Sequence, residues 1–219
     1  TRHPFTPPPP PIQGVGSFFW ERNICDIARG TGAKIYGVDY IGQGGSWPLD
    51  CNDGGAPSEQ NLRYSIDEWA DQISEFIEAV VVPQQQGVEC RQVHLVGNSV
   101  GGLLATMLAA RLPSRVRSVC LLNPTPVWGS DLPLWDGRLP GPAIPRAIGR
   151  WAYDRLRDPA NIMALLEKTY ARPAESNIRE LGEKIRAVTD ESEGGHAAFA
   201  SIMWCPPYNK ELAGGASNF

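Results

Sequence analysis

The stretch that decides the fold is residues 93–102, Val-His-Leu-Val-Gly-Asn-Ser-Val-Gly-Gly. An apolar run ends there in the pattern Gly-x-Ser-x-Gly, and a helix-forming stretch over residues 103–111 follows at once. This order predicts a strand, a sharp turn with Ser99 at its apex, and a helix. A serine hydroxyl is a weak nucleophile, and such a turn lifts it clear of the backbone to where a histidine can take its proton. We therefore predict that Ser99 is a nucleophile and that Gly97 and Gly101 prevent a collision between strand and helix.

Helices and strands alternate on both sides of this stretch. Towards the N-terminus, residues 17–32 have a helical pattern and residues 34–40 the composition of a short buried strand. Ser65 and Glu68 then form a capping box ahead of apolar residues at helical spacing. After the central stretch, residues 116–122 have the composition of the next strand. Strands that alternate with helices predict an α/β fold with a doubly wound, mainly parallel sheet.

Composition narrows the classes of function. The chain has 219 residues, 42% hydrophobic and 20% charged, which is typical of a globular domain with one sizeable core. A net charge of −4 gives no support for nucleic-acid binding. The sequence contains no run of about 18 apolar residues, so it predicts no transmembrane segment. An odd number of scattered cysteines without Cys-x-x-Cys spacing indicates neither a disulfide framework nor a zinc site, and favours a reducing compartment. These cysteines are Cys25, Cys51, Cys90, Cys120 and Cys205.

Several short stretches have the sequence pattern of a known family. They are residues 18–23, 36–39 with the glycine loop that follows, 97–102, 121–129 and 197–203. Together they resemble the α/β-hydrolase superfamily and, within it, the pheophytinase-like branch of plastid chlorophyll-breakdown esterases. The resemblance implies a serine carboxylic-ester hydrolase located in the chloroplast that removes phytol from a pigment ester such as pheophytin. It implies no metal and no organic cofactor, and a small hydrophobic ester as the binding partner.

The same resemblance assigns roles to individual residues. Ser99 is the expected nucleophile, and the backbone N–H of Val100, with a second donor from Gln13, is expected to hold the oxyanion. Trp128, directly after the strand next to the turn, is the candidate for an apolar substrate-binding slot. The implied domains are a proline-rich lead-in (1–13), a partial hydrolase core (14–125), a helical cap (126–205) and a C-terminal tail (206–219).

The histidine that would activate the serine is not evident. Enzymes with this turn place an acid and then a histidine after the serine in the chain. His3 lies in the proline-rich lead-in, His94 points away from the apex on the strand, and His196 is near the start of a predicted helix. Carboxylates between Ser99 and His196 that could orient a histidine are Asp131, Asp136, Asp154, Asp158 and Asp190. We therefore expect a chain truncated at both ends, with its catalytic Asp and His elsewhere, and inactive on its own.

Three other functions remain open. The first is another serine α/β-hydrolase, such as a lipase or an acyltransferase. The second is a ligand-binding receptor built on the hydrolase fold, and the third is a catalytically inactive fragment. The pattern does not predict the oligomeric state.

Overall fold

The computed structural model describes residues 16–46, 65–84, 92–125 and 143–190. Within these ranges the chain forms two strands and six α-helices. The strands are β1 (Val93–Asn98) and β2 (Val116–Leu122). The helices are α1 (Glu21–Thr31), α2 (Ile66–Phe76), α3 (Val100–Arg111), α4 (Ala143–Leu156), α5 (Pro159–Thr169) and α6 (Ile178–Asp190).

The predicted strand, turn, helix and second strand are confirmed. Strands β1 and β2 pair in parallel, with Val96 opposite Cys120 and Asn98 opposite Leu122. Helix α3 connects them, as a parallel pair requires, because the chain must return to the same end of the sheet. The carboxyl ends of both strands therefore meet at one edge, which is where such sheets place their functional residues.

Helix α2 packs against α3 and forms the main core of the described residues. The Ser65 hydroxyl accepts a hydrogen bond from the Glu68 backbone N–H at 3.1 Å, so the capping box correctly predicted the start of the helix. Apolar residues recur at helical spacing and are buried between the two helices. This cluster consists of Ile66, Trp69, Ala70, Val100, Leu104 and Leu108.

Two arginines contact α2 and the helical segment Ile77–Val81 that directly follows it. Arg111, in the last turn of α3, forms ion pairs with the buried carboxylate of Asp67 and, at 3.1 Å, with Asp71. Arg115 forms a bidentate ion pair with Glu78, with hydrogen bonds of 2.7 and 3.1 Å. A planar guanidinium that meets a carboxylate with two hydrogen bonds sets an orientation as well as a distance.

The predicted strand over residues 34–40 is wrong: this segment has no strand hydrogen bonds in the structure. A strand exists only where a partner can continue the ladder, and composition does not reveal the partner. Side chains of α2 bond to the backbone of the next residue, Ile41. The Ile41 N–H donates to Gln72 Oε1 at 2.8 Å, and the Ile41 carbonyl accepts from the Trp69 indole at 3.0 Å.

Helices α4, α5 and α6 lie within residues 126–205, where the sequence predicts a helical cap; residues 126–142 and 191–205 lie outside the described residues. Helices α5 and α6 bury a second apolar cluster formed by Ile162, Leu166, Ile178 and Ile185. Helix α1 lies against α6 through ion pairs, Glu21 with Lys184 and Arg22 with Glu180. The proposed domain boundaries remain predictions, and the lead-in and tail fall outside the described ranges.

Candidate active site

Ser99 has a backbone conformation that side chains rarely adopt. Its φ is 52° and its ψ is −119°, at the junction between β1 and α3. A residue other than glycine at positive φ costs on the order of 1–3 kcal/mol, which the surrounding contacts must offset. The Ser99 carbonyl accepts from the N–H groups of Gly102 (2.9 Å) and Thr125 (3.0 Å), and its own N–H donates to the Leu122 carbonyl (3.1 Å). The strained turn is therefore held from both the helix and the end of β2.

The turn brings the strand and the helix into close contact, which explains Gly97. A Cβ at Gly97 would lie 2.1 Å from the carbonyl oxygen of Gly101, a backbone atom that has no room to move. The expectation for Gly101 is wrong, because no described residue lies within 4 Å of a Cβ built there. The crowded glycine on the helix side is Gly102, where a Cβ would lie 2.7 Å from the Pro124 side chain. At this position the segment after β2 packs directly against the backbone of α3.

Thr125 is a candidate site residue that the sequence did not reveal. Its hydroxyl lies 3.0 Å from Ser99 Oγ, and its N–H bonds to the Ser99 carbonyl. One residue thus contacts both the backbone and the side chain of the proposed nucleophile. Its position in the sequence could have indicated this role. Thr125 comes three residues after the end of β2, and the carboxyl ends of adjacent parallel strands lie at the same edge of a sheet.

Val100, the expected hydrogen-bond donor, lies at the start of a helix. It is the first residue of α3, and the first N–H groups of a helix have no carbonyl to bond to within that helix. The positive end of the helix dipole adds to the attraction for negative charge at this point. Gln13, the proposed second donor, lies outside the described residues.

The glycine loop over residues 41–46 is tied to the segment that follows Gln13. Asp39 accepts hydrogen bonds from the backbone N–H groups of Ser17 and Gly45, the latter at 2.9 Å. Tyr40 and Ile41 pack against the apolar cluster that includes Val100. Burial, with a smaller contribution from the Asp39 charge, raises the pKa of Tyr40 to about 12. Its packing against this cluster holds the start of the loop close to α2 and α3.

A sequence profile described as the alpha/beta hydrolase fold matches residues 14–168. The chain belongs to the α/β-hydrolase family. The match covers both strands, the turn at Ser99, helices α1 to α4, and all but the last residue of α5.

Known hydrolases are similar to much of this chain. It is 30% identical over 224 residues to the chloroplastic pheophytinase of Arabidopsis thaliana, covering 88% of this chain and 44% of that protein. It is 28% identical over 117 residues to the 2-hydroxy-6-oxo-2,4-heptadienoate hydrolase of Pseudomonas putida, covering 51% of this chain and 39% of that one. The chain thus spans less than half the length of these relatives.

Solved structures support the same fold. A meta-cleavage product hydrolase (CumD) from Pseudomonas fluorescens has a TM-score of 0.55 and 22% identity, over 87% of this chain and 57% of that one. Est816, described as an N-acyl homoserine lactone degrading enzyme, has a TM-score of 0.50 and 20% identity, over 88% and 64%. At these identities the likeness establishes the α/β-hydrolase fold.

The described residues do not bring a histidine to Ser99 of this α/β-hydrolase. His94 is exposed on β1, and its Nδ1 lies 2.7 Å from the hydroxyl of Ser118 on β2. Among the candidate carboxylates, Asp154 pairs with Arg157 at 3.1 Å, and Asp158 caps α5 by accepting from the N–H of Ala160 at 2.9 Å. The remaining positions, whose side chains lie outside the described part of the chain, are His3, His196, Trp128, Asp131, Asp136 and Asp190.

The described residues contain neither a metal site nor a membrane-spanning helix. No group of three or more His, Cys, Asp or Glu residues there is arranged to hold a metal ion. No helix within the same ranges has the length and apolar character needed to cross a bilayer.

Proposed function

We propose that the protein is a serine carboxylic-ester hydrolase. The observation that supports this proposal is the conformation of Ser99, which stands at positive φ on the sharp turn between β1 and α3. Nucleophilic serines on α/β sheets use such a turn to expose the hydroxyl above the sheet edge. Hydrogen bonds from the Ser99 backbone to Leu122 and Thr125 offset the strain of this turn.

In the proposed reaction, Ser99 Oγ attacks the ester carbonyl carbon and loses its proton to a histidine oriented by an Asp, both from outside the described residues. The Val100 N–H and a donor from the Gln13 region stabilise the oxyanion of the tetrahedral intermediate. Collapse of this intermediate breaks the bond to the alcohol, which leaves with the proton from the histidine. Water then attacks the acyl-enzyme and releases the acid, so the balance is ester plus water to acid plus alcohol.

We further propose that the substrate is a hydrophobic pigment ester of the pheophytin type, cleaved to pheophorbide and phytol in the chloroplast. The similarity to a chloroplastic pheophytinase over 88% of the chain supports this substrate. Trp128 is the proposed wall of the slot for the apolar alcohol.

A substrate panel tests the reaction and the substrate separately. The protein expressed from its complete coding sequence is incubated with pheophytin, a p-nitrophenyl ester and a triacylglycerol, and products are separated by chromatography. Release of phytol and pheophorbide supports the whole proposal. Hydrolysis of simple esters alone would retain the serine hydrolase but contradict the pigment substrate. Transfer of the acyl group to an added alcohol would indicate an acyltransferase, and binding without turnover would indicate a receptor.

We expect Thr125 to position the nucleophile. Replacing Thr125 by valine keeps its shape but removes the hydroxyl 3.0 Å from Ser99 Oγ, so the rate of labelling by a fluorophosphonate probe should fall about tenfold. Thr125→Ser should restore the rate, because it restores the hydroxyl. The control is Thr106→Val, since the Thr106 hydroxyl bonds to the Gly102 carbonyl and should not affect labelling. Equal rates for Thr125→Val and the wild type would show that the contact is incidental.

A further inference from the structure

The carboxylate of Asp39 holds two parts of the chain together. It accepts a hydrogen bond from the backbone N–H of Ser17 and another, at 2.9 Å, from that of Gly45 in the glycine loop. Ser17 begins the short 3₁₀-helix Ser17–Trp20, which leads into α1, and Gly16 at its N-cap has no side chain that could bond to the first N–H groups. Asp39 therefore supplies, from 22 residues away, the contact that a capping side chain normally makes locally.

The space around this carboxylate admits only glycine at two positions. A Cβ at Gly16 would lie 2.8 Å from Asp39 Oδ1 and 2.5 Å from the Cα of Gly44. A Cβ at Gly44 would overlap the carboxyl group itself, and the φ of Gly44 is 52°, a value that other residues rarely adopt. The two backbones thus lie close to each other and to the carboxylate. A group at residue 39 that cannot accept both hydrogen bonds would therefore push them apart.

The glycine loop is in turn fixed to α2 and α3. Three backbone hydrogen bonds of 2.7 to 2.9 Å form within residues 40–46. At the start of the loop, Gln72 Oε1 and the Trp69 indole bond to the backbone of Ile41 at 2.8 and 3.0 Å. Trp69 belongs to the buried cluster that contains Val100. A continuous series of contacts therefore connects the start of the 3₁₀-helix to the start of α3.

We propose that Asp39 is a positioning residue for the oxyanion donors, an inference that rests on the proposed ester-hydrolase function. One proposed donor is the Val100 N–H at the start of α3, and the other belongs to the Gln13 region, three residues before Gly16 in the chain. Both must lie about 2.7–3.1 Å from the oxyanion to stabilise it. Asp39 sets the distance between the two parts of the chain that carry these donors. It acts through their backbones and does not itself contact the ester.

The test is Asp39→Asn in the protein expressed from its complete coding sequence, with steady-state hydrolysis of a p-nitrophenyl ester. Asparagine keeps the shape of aspartate but replaces one acceptor oxygen by an NH₂ group, which cannot accept from a backbone N–H. We expect kcat to fall about tenfold or more while KM stays within about twofold, because the oxyanion forms only after attack on the carbonyl. The rate is expressed per site labelled by a fluorophosphonate probe, so that unfolded molecules are not counted.

The matched control is Asp71→Asn, the same change in a carboxylate of α2. Asp71 pairs with Arg111 at 3.1 Å, at the opposite end of α3 from Val100. This variant removes the same negative charge from a contact between two helices, away from the donors. It should keep both kcat and KM at their wild-type values.

An unchanged kcat in Asp39→Asn, a rise in KM alone, or an equal fall of kcat in both variants would overturn the inference. If circular dichroism shows Asp39→Asn to be unfolded, Gln72→Met replaces it, because this change removes the acceptor of the Ile41 N–H, the next contact in the series. The same fall in kcat at constant KM is then expected, and an unchanged kcat would overturn the inference. A wild type that hydrolyses no ester would contradict the proposed function and this inference with it, whereas an active wild type with an unaffected Asp39→Asn contradicts this inference alone.

Discussion

Replacing Ser99 by alanine is expected to lower the turnover of a p-nitrophenyl ester by about 10⁶-fold in the protein expressed from its complete coding sequence. The reason is that, in the proposed reaction, Ser99 Oγ forms the covalent bond to the acyl group. The same variant should lose labelling by a fluorophosphonate probe. Turnover that stays close to the wild-type rate would contradict the assignment of Ser99 as the nucleophile.

The control for this prediction is another serine of the same small sheet. Ser118 on β2 contacts His94 at 2.7 Å and so presents a serine beside a histidine. It lies within a strand, however, where no sharp turn exposes the hydroxyl and no helix begins beside it. Ser118→Ala should therefore keep full activity and full labelling. Labelling that survives in Ser99→Ala and disappears in Ser118→Ala would show that Ser118, and not Ser99, is the nucleophile.

The second large effect concerns stability. Gly97→Ala should lower the free energy of unfolding by about 3 kcal/mol or more, because the new methyl group would lie 2.1 Å from the Gly101 carbonyl oxygen. The strand and the helix would have to move apart, and the contacts that hold Ser99 would move with them. Urea denaturation followed by circular dichroism measures this loss as a lower midpoint at unchanged slope.

Gly101→Ala is the matched variant, with the same change four residues along the same turn. A Cβ at Gly101 meets no described atom within 4 Å, and alanine favours a helix over glycine by up to about 1 kcal/mol. Its midpoint should equal or slightly exceed that of the wild type. A midpoint for Gly97→Ala equal to that of Gly101→Ala would mean that the turn is looser than its geometry indicates.

The sequence predicted those features that depend on neighbouring residues. The apolar run before Ser99, the helix-forming stretch after it and the capping box at Ser65 each signal their element within a few positions. The family resemblance then supplied the α/β-hydrolase fold, which the profile match confirms.

Features that depend on distant parts of the chain were not predictable in the same way. Residues 34–40 have the composition of a strand, but Gln72 and Trp69 of α2 bond to the backbone of Ile41 at its end. The motif spacing treats Gly97 and Gly101 alike, although only the direction of each Cα–Cβ bond decides which one is crowded. Thr125 is 26 residues from Ser99, and the contact between them follows from the pairing of β1 with β2.

The hydrogen bonds around Ser99 have a consequence for cooperativity. Ser99 keeps its strained φ only while Leu122 and Thr125 bond to its backbone, and those residues are in place only when β2 is paired with β1. Once β2 separates, the turn relaxes and its hydroxyl becomes an ordinary serine of a flexible chain. We therefore expect the proposed reactivity of Ser99 to follow the folding equilibrium of this sheet. Heat or denaturant should abolish reactivity together with the tertiary structure, with no inactive intermediate that keeps the sheet.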